Sequence, residues 1–437
     1  MTSRGFARPF HGWWVVIIGA LVAFSSGPGQ SFIFGVFLDS LIEDTGLTRT
    51  AISGLYAIGT GVSAFMVFTV SRLADRFGAR TTLIGAATGL GIACFGMSWA
   101  HGALMVFLAF SALRALGQGS MTINATLLTA QWFVAKRGRA VAVMGLGFPL
   151  SAAILPPATR FLIDTIGWRE AYMVLGVMVW VLVLPGAIFV IRERPEDMGL
   201  HPDGAAEAPA HEVAAAAEAA ASQRPVVRPR VLSSPRFWLL ALPLATPALV
   251  VTGLIFHQTG IVEENGLTAQ EAAALFIPYA FVSAGISMLA GFAVDRLGPK
   301  LTFALSMSLL LAAMLVAQVM DTAVVAIAYA MLIGAANGIS RIVQGVTWAH
   351  YYGREGLGRV QGSATMVGIA ASAFGPLPFA WLETQLDGFR AAILVMALMP
   401  ALAIVAVLVA RPPGEDSPTG IAARQARERA GRADSPT

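Results

Sequence analysis

Arg114 and Arg341 are the two ionisable side chains that lie deepest within long apolar stretches of this sequence. A charge in the hydrocarbon region of a bilayer costs about 3 kcal/mol or more, so it persists where it faces a cavity or a partner. No aspartate or glutamate lies equally deep to neutralise either arginine. A guanidinium group stays charged and pairs bidentately with a carboxylate, which predicts contact with an anion. The alternative is a structural role, in which each arginine binds backbone carbonyls at a helix break.

Each arginine belongs to a polar face with helical spacing. In helices otherwise made of Ala, Leu, Val and Gly, such a face points away from lipid. The two arginines differ in depth by about 10 Å, so they could hold two ends of one anion or pass it on. The faces consist of Arg114, Gln118 and Thr122 in the fourth stretch, and of Asn337, Arg341, Gln344 and Trp348 in the tenth.

Three further residues are weaker candidates for the binding site. Gln30 follows an interruption of the first stretch at residues 27–29, and a broken helix is a common binding device, although flexure explains it equally well. His257 titrates near physiological pH and could gate or carry a proton, although a hydrogen-bonded structural histidine is the more common case. Tyr56 could reach a cavity, but nothing specific in the sequence supports it.

The elements that position these residues are long and apolar. Of the 437 residues, 56% are hydrophobic and 12% charged, against about 25% charged in a soluble domain. A spanning helix needs about 20 apolar residues, and twelve stretches of that kind predict an all-α membrane protein with twelve transmembrane helices. They cover residues 12–37, 50–71, 81–99, 103–130, 138–160, 169–191, 236–258, 270–293, 300–319, 323–350, 357–380 and 389–410.

The second six stretches repeat the first six at an offset of 220 residues. Residues 41–48 (LIEDTGLT) match residues 261–268 (IVEENGLT), and the same offset pairs Gly78 with Gly298. Duplicated halves are how many transporters are built, so the repeat predicts two pseudo-symmetric six-helix bundles. The predicted units are an N-terminal bundle at 1–191, a cytoplasmic linker at 192–235, a C-terminal bundle at 236–410 and a cytoplasmic tail at 411–437.

Charge and cysteine content reduce the number of possible functions. Of the 29 basic residues, 23 lie on the side of the termini and four on the opposite side, which predicts cytoplasmic termini. That asymmetry explains the net charge of +4 without a nucleic-acid partner. Cys94 is the only cysteine, which excludes an internal disulfide and a thiolate metal cluster. No nucleophile with a base and no cluster of metal ligands is present, so we expect no cofactor and no enzymatic activity.

Two matching loops carry a family resemblance over essentially the whole chain. Residues 71–80 (SRLADRFGAR) and 291–300 (GFAVDRLGPK) resemble the cytoplasmic signature of the major facilitator superfamily, with Ser71 in place of the leading glycine. The resemblance implies that helices 1, 4, 7 and 10 line a central cavity, which would place both arginines on pore-lining helices. Topology signal and helix capping are the alternative roles for the loops. The gating residues that it implies are Asp75, Arg76, Arg80, Asp295, Arg296 and Lys300.

A narrower resemblance is to the bacterial monocarboxylate porter and oxalate–formate antiporter branch. Residues 34–37 (FGVF) in the first helix and 132–147 (WFVAKRGRAVAVMGLG) entering the fifth carry it. Better-known members have a lysine late in helix 1 and an Asp/Arg pair in helix 8. This sequence has Phe32 near the first position and no charge over 272–294, so that binding site does not carry over.

Together these features predict a secondary active transporter that moves a small organic anion, a mono- or dicarboxylate, by alternating access. Proton symport and anion exchange both remain open, with protons as a candidate second partner. The alternatives are a drug or metabolite efflux transporter, which usually needs a buried acid, and a transporter-like membrane receptor. We expect a monomer in the lipid bilayer of a bacterial inner membrane, without nucleic acid.

Overall fold

The computed structural model describes residues 10–204, 235–352 and 357–409, which are almost entirely helical. Nine helical segments in these ranges are long and apolar enough to cross a membrane. One of the nine, Ala269–Val319, holds two helices that meet at Gly298, where φ is +77°. The shorter apolar helix Gly12–Ser25 and the 29-residue helix Arg49–Phe77 complete the expected twelve.

The twelve helices are numbered α1 to α12, and several are interrupted. The first half comprises α1 (Gly12–Ser25 and Ser31–Thr45), α2 (Arg49–Phe77), α3 (Ala79–Ser98), α4 (Gly102–Leu113, Arg114–Met121 and Thr122–Trp132), α5 (Arg137–Gly145 and Gly147–Ile166) and α6 (Trp168–Pro185 and Gly186–Val190). The second half comprises α7 (Pro235–Phe256 and Gln258–Glu264), α8 (from Ala269–Ala274 to Gly298), α9 (from Gly298 to Ala317–Val319), α10 (Ala323–Tyr352), α11 (Leu357–Phe374 and Pro376–Leu386) and α12 (Phe389–Met396 and Leu398–Val409).

The bundle has two ends. The linker end carries the start of α1, the turns at Gly78 and Gly298 and the short helices Pro195–Met198 and Pro202–Gly204. The distal end carries the turns at Gly46, Gly167, Gly266 and Gly388. Side chains on the flanks, such as Phe65, Met288 and Leu402, are apolar and exposed, as expected of a surface that meets lipid.

Backbone geometry confirms the sequence repeat. Gly46 and Gly266 both have positive φ, as do Gly78 and Gly298 at the same offset of 220 residues. Glycine adopts this conformation without the steric cost that a Cβ atom brings. The threonine two residues after Gly46 and after Gly266 also repeats. Thr48 Oγ1 accepts a hydrogen bond from Ala51 N, Thr268 Oγ1 accepts one from Glu271 N, and each threonine caps the helix that follows.

Several helices run beyond the apolar stretches predicted for them. The first span was predicted to end at residue 37, but α1 continues to Thr45, and α7 continues past residue 258 to Glu264. The predicted interruption at 27–29 is confirmed as a turn of 3-10 helix. The proposed domain borders stay predictions, because most of the linker (205–234) and the tail (410–437) lie outside the described residues.

Candidate functional site

A cavity of about 380 Å³ lies toward the linker end, lined mainly by helices of the second half and touched by one residue of the first. Gln118 of α4 contributes to it from the first half. From the second half, Gln344 and Trp348 of α10 and Gln361 of α11 line the same space. The structure therefore brings together two glutamines that the sequence placed on separate polar faces.

Arg341 lies one helical turn from Gln344 on the distal side, a rise of about 4.5 Å along α10. Its side chain is exposed, and its guanidinium carbon is 5.7 Å from the ring centroid of Phe148 on α5. Because Phe148 belongs to the other half, Arg341 faces the space between the halves and not the lipid. Among the described residues it forms no salt bridge. Nearby, Asn337 Nδ2 donates to the Tyr279 hydroxyl at 2.9 Å.

Arg114, by contrast, is buried, with 2% of its surface exposed. Its Nε donates to Thr60 Oγ1 at 3.1 Å and a terminal nitrogen donates to the Gly29 carbonyl at 3.2 Å. Its guanidinium carbon lies 5.1 Å from the ring centroid of Tyr56. These partners are neutral, so the charge of Arg114 has no acidic partner in the described part of the chain. The residue opens a π-helical segment of α4, a geometry that often marks functional sites.

Gln30 and Tyr56 lie beside Arg114 and outside the cavity lining. The Gln30 amide donates to Ser26 Oγ at 3.3 Å across the break in α1. Tyr56 is buried against Phe256 of the other half, with ring centroids 4.8 Å apart. Tyr56 therefore packs against Arg114, the Gln30 side chain bonds within α1, and neither residue lines the cavity.

His257 is buried at the break in α7. Its Nε2 is 2.9 Å from the Pro376 carbonyl, at the break in α11. A carbonyl oxygen only accepts, so Nε2 carries the hydrogen, while Nδ1 has no partner among the described residues. The ring packs between Phe256 and Phe389. His257 thus ties α7 to α11, and a role in proton transfer stays a prediction.

Arg80, one of the predicted gating residues, bonds within its own half. Its side chain donates to the carbonyls of Ala187 at 3.1 Å and Ile188 at 2.5 Å, at the end of α6. The Glu193 carboxylate in turn accepts from the backbone nitrogens of Ala79 and Arg80. This reciprocal capping holds α3 to α6 at the linker end.

The other predicted gating residues also lie at the linker end. Arg76 is exposed, with its guanidinium carbon 5.1 Å from the Phe77 ring centroid. Asp295 and Arg296 are exposed at the end of α8, and Lys300 is half-buried at the start of α9. The Asp75 side chain lies outside the described residues. A latch between the halves at this end therefore stays a prediction.

Hydrogen bonds join the two halves at the distal end. Thr50 Oγ1 donates to the Ala380 carbonyl at 3.2 Å, and Gln270 Nε2 donates to Asp164 Oδ2 at 3.0 Å. The Arg49 guanidinium carbon lies 5.5 Å from the ring centroid of Phe389. The distal end is thus joined, and the cavity lies on the opposite side of this contact.

Sequence reasoning missed the part of the cavity wall that α11 provides. Gln361, Thr365 and Ser372 line the cavity from this helix. The spacing of four residues between Gln361 and Thr365 in an apolar helix was the available signal. Neither side chain is charged, so the cost of burying charge did not single them out.

Two repeated six-helix halves of long apolar helices define a class of multi-pass membrane protein. The sequence model of the Major Facilitator Superfamily matches residues 19–259 and 248–432. The chain belongs to this family, which points to a transporter and not to an enzyme.

Curated relatives and solved structures agree with this assignment. The chain is 28% identical to mouse monocarboxylate transporter 11 over 191 residues, which are 43% of this chain and 42% of that protein. It is 27% identical to the probable sulfoacetate transporter SauU of Cupriavidus necator over 157 residues, 35% of this chain and 36% of that protein. It is 30% identical to the membrane sensor protein UhpC of Salmonella typhimurium over 265 residues, 58% of this chain and 56% of that protein. The chain thus spans about half or less of these relatives.

The fold is similar to that of solved transporters over nearly its full length. A bacterial homolog of the human lysosomal transporter Spinster, solved inward-facing and unoccupied, superposes with a TM-score of 0.71 at 16% identity. That comparison covers 92% of this chain and 97% of the other. A D-xylose–proton symporter gives a TM-score of 0.67 at 15% identity, covering 91% and 98%. At these identities the likeness concerns the fold alone.

Proposed function

We propose that this protein is a secondary active transporter that moves a small organic anion, a mono- or dicarboxylate, by alternating access. The observation that carries the proposal is Arg341, an exposed cation that faces the other half, one turn from the cavity residue Gln344 and without an acidic partner among the described residues. An uncompensated guanidinium group in a low-dielectric chamber raises the local concentration of anions and repels cations.

The relatives support an anionic substrate. Two of them are named for monocarboxylates and for sulfoacetate, and both kinds of compound carry the negative charge that Arg341 would bind. The direct test is uptake of radiolabelled carboxylates into proteoliposomes, with Arg341→Ala compared with Arg139→Ala, an exposed arginine away from the cavity. We expect uptake to fall in the first variant alone, and equal uptake in both would contradict the proposal.

Alternating access is supported by the asymmetry between the two ends. The distal contacts of Thr50 and Gln270 close one side, while the cavity lies toward the other. We propose that Asp75 and Asp295, with the basic residues that follow them, latch the linker end in the opposite state. Asp295→Asn should then change transport rate and the balance of the two states more than protein yield. Unchanged kinetics in this variant would contradict the latch.

For energy coupling we favour proton symport over anion exchange. His257, a protonated substrate or the linker-end carboxylates are the routes open to a proton. Uptake driven by an imposed pH gradient is the expected result, and loss of the gradient response in His257→Gln would identify His257 as the route. Uptake that does not respond to the pH gradient and requires a counter-anion would favour anion exchange instead.

We also propose cytoplasmic termini, a monomeric state and a bacterial inner-membrane location. The basic residues concentrated at the linker end support this orientation. Labelling of a cysteine placed at the linker end by an impermeant reagent, in intact and in opened cells, tests it. Labelling in intact cells would place the linker end outside the cell and contradict the proposed orientation.

A membrane sensor is the second candidate, because the chain resembles the sensor UhpC over 58% of its length. A sensor binds its ligand and reports it without moving it. Binding of an anion by the purified protein, combined with no uptake in proteoliposomes, would favour this function. Uptake at a rate that saturates with the same affinity would favour the transporter.

A further inference from the structure

A groove of about 660 Å³ lies on the flank of the second half, between α7, α11 and α12. The residues that line it on α7 extend from Trp238 to Leu249, which is three turns or about 16 Å of the helix axis. Alanines such as Ala370 on α11 and Ala403 on α12 line the other sides, and none of the described lining residues is charged. The groove is therefore apolar and extends along the helices.

The groove offers few groups that could bond a polar ligand. Thr246 and Trp238 are the polar side chains among the residues that line it. The Thr246 hydroxyl donates to the Leu242 carbonyl of its own helix at 3.3 Å. Trp238 lies near the start of α7, and tryptophans near the ends of spanning helices commonly lie at the level of the lipid head groups. A polar ligand would lose its hydration in this groove without gaining a partner, so an apolar occupant fits best.

The open side of the groove is continuous with the lipid-facing surface. Leu239, Leu242 and Leu402 line the groove and are 51%, 59% and 67% exposed. The hydrocarbon core of a bilayer is about 30 Å thick, so one leaflet contributes about 15 Å. That thickness is close to the length of the α7 side, which begins at the linker end. The position and the length of the groove thus match one acyl chain of the leaflet on the linker side.

The two chain segments that border the groove fit it less well than a lipid does. The linker leads into α7 at Pro235, and the tail follows α12 after Val409. Charged residues recur throughout the sequences of both segments, and burial of a charge in an apolar groove is costly. Basic residues among them would instead attract the phosphate of a lipid head group at this end. The charged residues extend from Glu207 to Arg230 and from Arg411 to Asp434.

We propose that an acyl chain of a phospholipid from the leaflet on the linker side binds in this groove. Its methylene groups would pack against the groove on several sides and gain dispersion contacts that a flat helix surface does not provide. Ala245 lines both the groove and the cavity on the other side of α7. The bound chain thus lies behind the wall of the cavity. The proposal does not depend on which substrate the protein moves.

Photolabelling of the purified full chain in dodecyl maltoside tests the proposal. The probe is a phosphatidylglycerol that carries a diazirine in the middle of one acyl chain, and the adducts are mapped by mass spectrometry of peptides. We expect adducts at the groove residues of α7, α11 and α12, with labelling that saturates at a single lipid per chain. Phe65 and Met288 are exposed on the flanks outside the groove, and adducts near them should be sparse and should not saturate.

Two variants fill the groove, and a third is the matched control. Ala370 is exposed, so Ala370→Phe places a ring in the groove without inserting it into the packed core. Groove labelling should then fall to the level of the rest of the flank, and Ala406→Phe should do the same from α12. Ala328→Phe changes an exposed alanine of α10 outside the groove and should label as the wild type does. Unlabelled phosphatidylglycerol should raise the thermal midpoint of the wild type and of Ala328→Phe, but not of Ala370→Phe.

Several outcomes would overturn the proposal. Adducts spread evenly over the flanks of the wild type would show that lipid meets the groove only as general solvent. Groove labelling retained in both filling variants would place the lipid elsewhere. Labelling that appears only after residues 411–437 are removed would assign the groove to the tail. Labelling that is lost when two copies associate would assign it to a second copy of the chain.

Discussion

Gly29 and Gly117 are in direct backbone contact, since a Cβ atom on Gly29 would lie 2.9 Å from the Cα of Gly117. The contact joins the break in α1 to the π-helical segment of α4 that begins at Arg114. It also allows Arg114 to reach the Gly29 carbonyl. Because neither glycine has a side chain, the two segments approach closely, and Arg114 is held in its buried position.

Gly117→Ala should lower stability, because its Cβ would lie 2.9 Å from the Gly29 Cα and 3.0 Å from the Ser26 carbonyl. Overpacking of this kind costs about 1 to 3 kcal/mol, so the thermal midpoint should fall by several degrees. Gly85→Ala is the control, since a Cβ there meets nothing within 4 Å and alanine favours helix. Equal thermal midpoints in the two variants would show that the contact between Gly29 and Gly117 does not contribute to stability.

Joining the halves at the distal end should stop transport. Thr50 Oγ1 and Thr384 Oγ1 are 3.5 Å apart across the halves, so cysteines at both positions should form a disulfide after a small adjustment. Oxidation should abolish uptake and a reductant should restore it, because alternating access requires this end to open. The two single-cysteine variants are the controls, with buried Cys94 retained in all. Full activity of the cross-linked protein would contradict a moving distal gate.

Asp203 should stabilise the linker end in a pH-dependent manner. Its carboxylate accepts from the backbone nitrogens of Val134, Ala135 and Lys136. Burial raises the pKa of Asp203, but these three donors and the Lys136 charge outweigh it, so the pKa lies below its usual value. A lowered folded pKa stabilises the fold fully above the unfolded pKa of about 3.9, and this contribution is lost as the pH falls through the folded value.

Hydrogen exchange of the amides at 134–136 measures this contact. Asp203→Asn should speed their exchange at neutral pH by about ten-fold or more, because a neutral amide accepts more weakly than a carboxylate. In the wild type, protection should be lost on acidification below about pH 4. The exposed Glu196→Gln variant in the same segment should behave as wild type. Slow exchange in Asp203→Asn would exclude the contact.

Much of the fold could be predicted because its causes are local. The apolar stretches identify the helices, and the offset of 220 pairs turns such as Gly78 and Gly298, which adopt the same conformation. The ends of α1 and α7 were missed, since polar residues up to Thr45 and Glu264 continue the helix beyond the apolar window. Those ends depend on capping and tertiary contact, which hydropathy does not register.

The site was predicted less completely than the fold. Helical spacing placed Gln118 and Gln344 on polar faces, and both line one cavity. The burial of Arg114 depends on the close approach of Gly29 to α4, a contact between segments far apart in sequence. Gln361 was missed because a neutral side chain carries no burial penalty large enough to distinguish it.

The central claim is that the space between the halves binds an anion through Arg341, and equilibrium binding of four-carbon carboxylates tests it most directly. Arg341→Ala should weaken binding about ten- to a hundred-fold, from the loss of one charge-assisted contact of roughly 1.5 to 3 kcal/mol. Its thermal midpoint should stay unchanged because the side chain is exposed, whereas Arg114→Ala should lower both affinity and midpoint. Arg341→Lys should restore binding only in part, since it keeps the charge and loses the bidentate geometry. Wild-type affinity in Arg341→Ala, or selection of a cation by the wild type, would contradict the account.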